Sequence, residues 1–383
     1  MNDLHLPQEF KDALMRRAAE LASYGFGRTA PNPCVGAVLT HNGTIVAEGY
    51  HKRYGGAHAE VEAIEQGRAS GLPLAHCTLW VTLEPCNHQG KTPPCTRAIL
   101  EAGIGAVGIG TLDPNPDVQG GGAAFLRAQG VAVQEGILES VCRDLLADFH
   151  IWQSEKRPFV LLKLAATLDG KIAARNGHSA WVSGVQARQE VHWLRSRADA
   201  VLIGGGTLRA DNPRLTCRLD ANASQPLALV VTTQLPHPDA PLHLLRHRPR
   251  QTLFWTTPEQ AQSTHAEGLQ ALGCQVWELP RTTAGTLDLQ AGLSRLYDHG
   301  GYTVLCEGGG HLALRLAEQT RVDRLRLYLA PKILGDAAGI NLFTGRTVTD
   351  MDHALTWRYT NKRYAGEDLC VELSPQPGKP TEN

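Results

Sequence analysis

Residues 58 to 95 constrain this chain more than any other stretch. His58, Cys86 and Cys95 must be carried to one point by whatever folds between them, and Glu60 must arrive beside them. One imidazole and two thiolates form a soft donor set suited to zinc, and a catalytic zinc keeps its fourth tetrahedral position for water. Zinc lowers the pKa of such a water, and a carboxylate that is not a ligand can take the proton and deliver it to a leaving amine. Glu60 has that position. The pattern is that of hydrolytic base deamination, in which a His-x-Glu helix start pairs with a Pro-Cys element, here Pro85-Cys86.

Residues two apart on a regular helix point to nearly opposite sides, so His58 and Glu60 can share a metal only in an opening turn. The apolar run from Val61 to Ile64 predicts a helix beginning there, and Pro93 and the run from Thr96 to Ala102 predict a second helix start at Cys95, whose positive end favours a thiolate. Isolated cysteines are more often buried apolar filler. These two follow a predicted strand, Thr78 to Leu83, and accompany His-x-Glu, which argues for the metal. A structural zinc would take four protein ligands and leave Glu60 without a task.

A length of 383 residues predicts two domains, each able to bury a core. Charges nearly cancel, 37 basic against 38 acidic, so bulk electrostatics calls for neither nucleic acid nor a membrane surface. No run approaches the roughly 20 apolar residues of a membrane span. The expected compartment is the cytoplasm. Nine cysteines, an odd and scattered set, do not form a disulfide framework.

Along the chain, Phe10 to Ser23 reads as an amphipathic helix, and Val35 to Leu39 and Thr44 to Tyr50 as strands joined at Asn42-Gly43. Asn32 is either a turn former or a polar contact for a pyrimidine, and His51, His88 and Lys91 carry the same two readings. Strands at Ala106 to Ile109 and Val131 to Gln134 alternate with helices at Ala123 to Ala128 and Leu138 to Trp152, giving an α/β domain over residues 1–154. Glu155-Lys156-Arg157-Pro158 breaks the pattern. A second α/β domain over 155–373 has strands near Ala200, Leu227, Thr252, Gln275, Thr303 and Arg324, for which a doubly wound sheet is the natural fit, and 374–383 reads as a tail.

Two glycine clusters follow strands in the second half, Gly204-Gly205-Gly206-Thr207 and Gly308-Gly309-Gly310-His311. They are either tight connections or turns that let a phosphate approach backbone N–H groups, and two in one domain favour a dinucleotide. Arg195, Arg209, Arg214 and Arg218 surround the first, as a solvated basic face or as phosphate ligands. Lys163 and Asp169 end a strand and either act on substrate or form a structural pair.

The chain resembles the bifunctional deaminase/reductase family of riboflavin biosynthesis over nearly its whole length. The motifs are Pro31-Asn32-Pro33-Cys34-Val35-Gly36, Gly56-Ala57-His58-Ala59-Glu60, the Cys86 to Cys95 segment, Lys163 through Lys171, and Gly206-Thr207 through Asp211-Asn212-Pro213-Arg214-Leu215-Thr216. The resemblance implies a cytidine-deaminase-like α/β/α domain followed by a dihydrofolate-reductase-like α/β domain, one zinc per chain, and NADPH. It also implies a small-molecule substrate, a diamino-ribosylaminopyrimidinone 5′-phosphate, with no nucleic acid or membrane partner, and a homo-oligomer. By motif, Glu60 is the proton shuttle and His58, Cys86 and Cys95 are the ligands. Ala165, Trp181, Thr207, Asp211, Thr233, Gly309, Gly310, His311, Leu312, Ala313, Leu314 and Arg315 are implied as cofactor contacts, and Ser179, Arg195, Leu215, Arg218 and Glu307 as substrate contacts. Two departures stand out, Thr167 in place of serine and Asp336 in place of a second glycine after Gly335. A nucleoside or tRNA deaminase with an unrelated partner domain, and a non-catalytic zinc-stabilised binding module, are the competing readings.

Overall fold

The computed structural model describes residues 2–71, 73–89, 93–113, 121–219 and 223–376. The chain divides into two compact units, Met1–Glu155 and Lys156–Asn383. None of the helices among the described residues is long and apolar enough to cross a membrane.

In the first unit, strands β1 (Gly36–His41), β2 (Thr44–Tyr50), β3 (Thr78–Leu83), β4 (Ala106–Thr111) and β5 (Ala132–Gln134) form one sheet in the order β2-β1-β3-β4-β5. The hairpin side is antiparallel, and β3, β4 and β5 run parallel. Helices α1 (Gln8–Ser23), α2 (Ala59–Ala69), α3 (Cys95–Glu101), α4 (Gly121–Ala128), α5 (Glu139–Leu145) and α6 (Ala147–Ser154) complete it. β3 and β4 are buried along their whole length, as strands covered on both faces must be. Leu39, Leu79, Val81 and Ile109 pack with Ala63 and Ile64 of α2 and Ile99 of α3, whereas Val38 and Trp80 pack with Leu14, Met15 and Ala18 of α1 and Cys142 of α5. The result is a three-layer α/β/α unit.

Gly49 positions the metal helix. A Cβ there would stand 2.4 Å from the Ala59 carbonyl oxygen and 2.6 Å from the Ala63 nitrogen, so only glycine lets α2 lie directly on β2. The stretch read as one helix from Leu138 to Trp152 is two, because Leu146 (φ −95°, ψ 7°) leaves helical geometry and is itself buried. The break lets Cys142 pack beneath the sheet while Phe149 and Gln153 turn towards the metal cluster.

The second unit contains β6 (Phe159–Thr167), β7 (Lys171–Ala173), β8 (Ala200–Gly204), β9 (Leu227–Val231), β10 (Thr252–Thr256), β11 (Gln275–Glu278), β12 (Thr303–Cys306), β13 (Arg324–Ala330), β14 (Ile340–Asn341), β15 (Trp357–Ala365) and β16 (Asp368–Pro375). Nine of these form one sheet, β11-β10-β9-β8-β12-β6-β13-β16-β15. From β11 to β13 all neighbours are parallel, as the alternating pattern predicts, and the β15–β16 hairpin closes the far edge antiparallel. The register of β15 slips between Tyr359 and Asn361. β16 continues through Ser374 and Pro375, two residues the sequence pattern placed in the tail, because Ser374 is buried and paired with Arg358.

Its helices are α7 (Val185–Arg195), α8 (Gly205–Asp211), α9 (His243–His247), α10 (Pro258–Ala261), α11 (Thr264–Ala271), α12 (Leu289–Asp298) and α13 (Gly310–Glu318). Leu293 and Leu296 of α12 and Leu312 and Leu316 of α13 pack with Leu162, Leu202, Leu229 and Val304 of the parallel strands. Both glycine clusters therefore sit at the carboxyl ends of adjacent strands, β8 and β12, where open α/β sheets place their ligands.

Candidate active sites

His58 is the N-cap of α2, with extended backbone (φ −74°, ψ 162°), and Glu60 lies in the first turn. This is the opening-turn geometry that lets residues two apart face one point. Cys95 is the first residue of α3, with Pro94 at the cap, so Pro93 precedes the helix rather than starting it. His58 Nδ1 is 3.2 Å from Cys95 Sγ and 3.6 Å from Cys86 Sγ. The three ligand atoms lie within 4.8 Å of one another. Bond lengths of about 2.0–2.3 Å separate the ligand atoms of a tetrahedral zinc by about 3.5 Å, so the donor set and its spacing fit that ion.

The positive end of α3 is spent on its neighbour: the Cys95 N–H donates to Cys86 Sγ at 3.3 Å. The Cys95 thiol and then His58 bring the Cys86 thiol down to about 4, against burial, while the Cys86 thiolate and burial push Cys95 well up. Glu60 is 3% exposed, and burial, then the Cys86 charge, push its carboxyl up to about 7. A carboxylate so placed accepts a proton near neutral pH.

His58, Glu60 and Cys86 line a pocket of about 350 Å³ together with Asn32, His51, Tyr54, His88 and Phe149. His51 Nδ1 pairs with the Ala57 carbonyl at 2.9 Å, which makes Nδ1 the protonated nitrogen and leaves Nε2 to accept from the Asn32 amide at 3.3 Å. Burial lowers the His51 pKa, in keeping with a neutral ring. His88 is exposed at the pocket edge, and Lys91 lies outside the described residues. Sequence reasoning assigned no role to Glu84, two residues before Cys86. Its buried carboxylate accepts from the N–H groups of Asp113, Gly122 and Ala123 and ties three segments around Cys86. A charged residue ending an otherwise apolar strand was the available signal.

The second unit holds a cleft of about 740 Å³ at the carboxyl ends of β6, β8 and β12. Lys163, Ala165, Ser179, Trp181, Arg195, Thr207, Asp211, Arg218, Glu307, Gly309, Gly310, His311 and Leu312 all line it. Arg195 donates to Glu307 through Nε (2.6 Å) and Nη2 (2.8 Å), and its Nη1 reaches the Thr216 carbonyl. Burial alone would raise the Glu307 carboxyl, but the Arg195 guanidinium holds it below its ordinary value. Burial lowers the Lys163 ammonium. A Cβ on Gly206 would meet nothing within 4 Å, so the turn leaves open space, and Thr207 Oγ1 accepts from the Gly309 N–H at 3.3 Å, joining the two glycine turns. The open space at Gly206, with the second glycine turn lining the same cleft, fits a phosphate-bearing dinucleotide such as NADPH.

Other implied contacts lie elsewhere. Ala313 and Leu314 are buried on α13, Leu215 is buried with its carbonyl accepting from Arg248, and Thr233 and Arg315 are outside the cleft lining. Asp169 is also outside it. Its oxygens accept from Thr167 Oγ1 and from the N–H groups of Leu334 and Gly335, which lowers its carboxyl to about 2, and among the described residues it makes no ion pair with Lys163. Asp336 leaves the turn intact: Gly335 supplies the positive φ, and Asp336 pairs with Arg175 through two bonds of 2.8 Å.

Residues 8–111 match the cytidine and deoxycytidylate deaminase zinc-binding region, and residues 158–371 match the RibD C-terminal domain. Riboflavin biosynthesis protein RibD of Actinobacillus pleuropneumoniae is 38% identical over 94% of this chain and 93% of its own. This chain belongs to the RibD family. The RibD of Escherichia coli is 36% identical over 94% of this chain and 98% of that protein. A solved deaminase/reductase from Thermotoga maritima superposes with a TM-score of 0.76 at 36% identity over 96% of this chain and 99% of that one, and Acinetobacter baumannii RibD with 0.75 at 30% over 97% and 100%. As a RibD, the chain is a bifunctional riboflavin-biosynthesis enzyme, with a zinc-dependent deaminase unit and an NADPH-dependent reductase unit acting on a small molecule.

Proposed function

We propose the following residue roles for the two reactions. In the first unit His58, Cys86 and Cys95 hold zinc, which when bound supplies the Lewis acidity that makes water nucleophilic near neutral pH. Glu60 takes the proton of the attacking water and delivers it to the amino nitrogen of a diamino-ribosylaminopyrimidinone 5′-phosphate, so that ammonia leaves and a carbonyl remains. His51 holds the Asn32 amide nitrogen, which turns the carboxamide oxygen into the acceptor that orients the pyrimidine.

In the second unit the ribosyl group opens so that its first carbon becomes the trigonal carbon of an imine; bound NADPH would supply hydride to that carbon and solvent a proton to the nitrogen, leaving a ribityl chain and NADP+. Lys163, Arg195 and Glu307 form the polar floor on which the deaminated ring and sugar are held. The paired Arg195 and Glu307 are fixed before substrate arrives, which lowers the entropic cost of orientation. Homo-oligomerisation and residence in the cytoplasm belong to the same reading, and sedimentation and cell fractionation check them.

The observation that carries the proposal is the convergence of three soft ligand atoms on a buried Glu60 that lines a pocket. Incubation of the zinc-loaded protein with the diamino substrate tests it. Ammonia should appear one for one without NADPH, and NADPH oxidation should follow only after deamination. Absence of ammonia release would remove the first half, and NADPH oxidation with the diamino compound alone would reverse the order.

A further inference from the structure

NADPH differs from NADH by one phosphate on its adenosine ribose, and an enzyme selective for it needs a cation and hydroxyls at that end of the groove. The topology shows where that end lies. β6, β12, β8 and β9 are consecutive neighbours in the sheet. A dinucleotide with its nicotinamide at Ala165 on β6, and its phosphates over the glycine turns after β12 and β8, reaches the end of β9 with its adenosine. That is three strand spacings, about 14 Å.

Arg209 stands at that place. It lies one helical turn after Gly205 on α8, and its Nη1 is 3.2 Å from where a Gly205 Cβ would be. Thr232 Oγ1, in the turn that follows β9, is 2.4 Å from the same point, so guanidinium and turn converge where only a glycine leaves room. Thr232 fixes the turn, donating to the Gln234 carbonyl at 2.8 Å and accepting from the Gln234 N–H at 3.2 Å, and leaves Thr233 exposed. Most neighbouring cations are engaged, Arg195 with Glu307, Arg248 with the Leu215 and Pro226 carbonyls, Arg218 with His192 and Arg188 over the Trp181 ring, whereas Arg214 is exposed. Arg209 is exposed, and among the described residues it makes no hydrogen bond or ion pair. Thr233, one of the implied cofactor contacts outside the cleft lining, follows Thr232 in that turn.

Resting on the NADPH-dependent reading of this unit, we infer that Arg209, with the Thr232 to Gln234 turn, holds the 2′-phosphate and selects NADPH over NADH. It is a binding and specificity residue, remote from the hydride. Dissociation constants for NADPH and NADH, measured by nucleotide fluorescence on the full-length protein, test the assignment. Arg209→Gln should weaken NADPH by about 10- to 100-fold, the scale of a lost charge-assisted bond, and leave NADH unchanged. Arg209→Lys should fall between, and the salt dependence of NADPH binding should flatten in Arg209→Gln. With the wild-type protein, 2′,5′-ADP should displace NADPH far better than 5′-AMP does. Equal weakening of both dinucleotides, or none, overturns the assignment. A wild-type protein that binds neither dinucleotide overturns instead the cofactor reading on which it rests.

Discussion

The two sites are built on opposite plans. The deaminase pocket is small, about 350 Å³, and its chemistry comes from side chains at the starts of two helices that meet within one stretch of sequence. The reductase cleft, about 740 Å³, is made from strand ends and glycine turns contributed by β6, α7, α8, β12 and α13. A site whose reacting groups are side chains concentrates its function in a few atoms. One built from backbone and packed charge spreads it, so single substitutions should act abruptly in the first and gradually in the second.

The sharpest break of that contrast is Cys86→Ala or Cys95→Ala. Either should reduce zinc from about one per chain to none and abolish deamination, while NADPH oxidation with the deaminated compound persists. Full deamination without zinc would dissolve the metal assignment. Next in size, Glu60→Gln should keep zinc and lose deamination by on the order of 10²-fold or more. A parallel loss of reduction would make Glu60 a folding residue. Asp323→Asn probes the other unit through stability. Arg157, 1% exposed, donates two bonds of 2.7 Å to the Asp323 carboxylate, and the amide would leave that charge unpaired at a cost of about 3 kcal/mol. Urea unfolding should show the second unit weakened and zinc retention unchanged.

The smallest effect is expected at Asp169. Its carboxyl stands at 3.8 when unperturbed and is lowered to about 2 here by Thr167 and the Gly335 and Leu334 N–H groups. A group lowered on folding contributes stability above its unfolded pKa and loses it as pH falls through the folded value. Asp169→Asn should therefore lower thermal stability at pH 6, with the difference from wild type shrinking between pH 4 and pH 2. Turnover of the deaminated substrate should be near normal, and a collapse of turnover in a folded variant would return Asp169 to the chemistry.

The zinc cluster was legible because each ligand carries a local mark: a His-x-Glu before an apolar run, a Pro-Cys after a strand, a proline pair before a helix. In the reductase floor Lys163 and Arg195 were legible only as ambiguous charges and Glu307 only through family motifs, since nothing near Glu307 in sequence announces Arg195. A motif also cannot separate residues that touch a ligand from those that support them, so Leu312 and Ala313 read alike although one lines the cleft and the other fills the core. The helix break at Leu146 was hidden because apolar residues continue through it. β15 left no period to read, being exposed at Arg358, Tyr359, Asn361, Lys362 and Tyr364 on both sides of the pleat.

That last strand has a consequence for how the protein behaves when crowded. An edge strand offers unpaired N–H and C=O groups to any other extended chain, and long flat edges template unwanted growth. The slip between Tyr359 and Asn361 interrupts the row of donors, and Lys362, its ammonium 4.1 Å from the Tyr359 ring centre, sets a charge beside the gap. This edge of the nine-stranded sheet thus carries its own stop to further strands, a safeguard against fibrous association through β15.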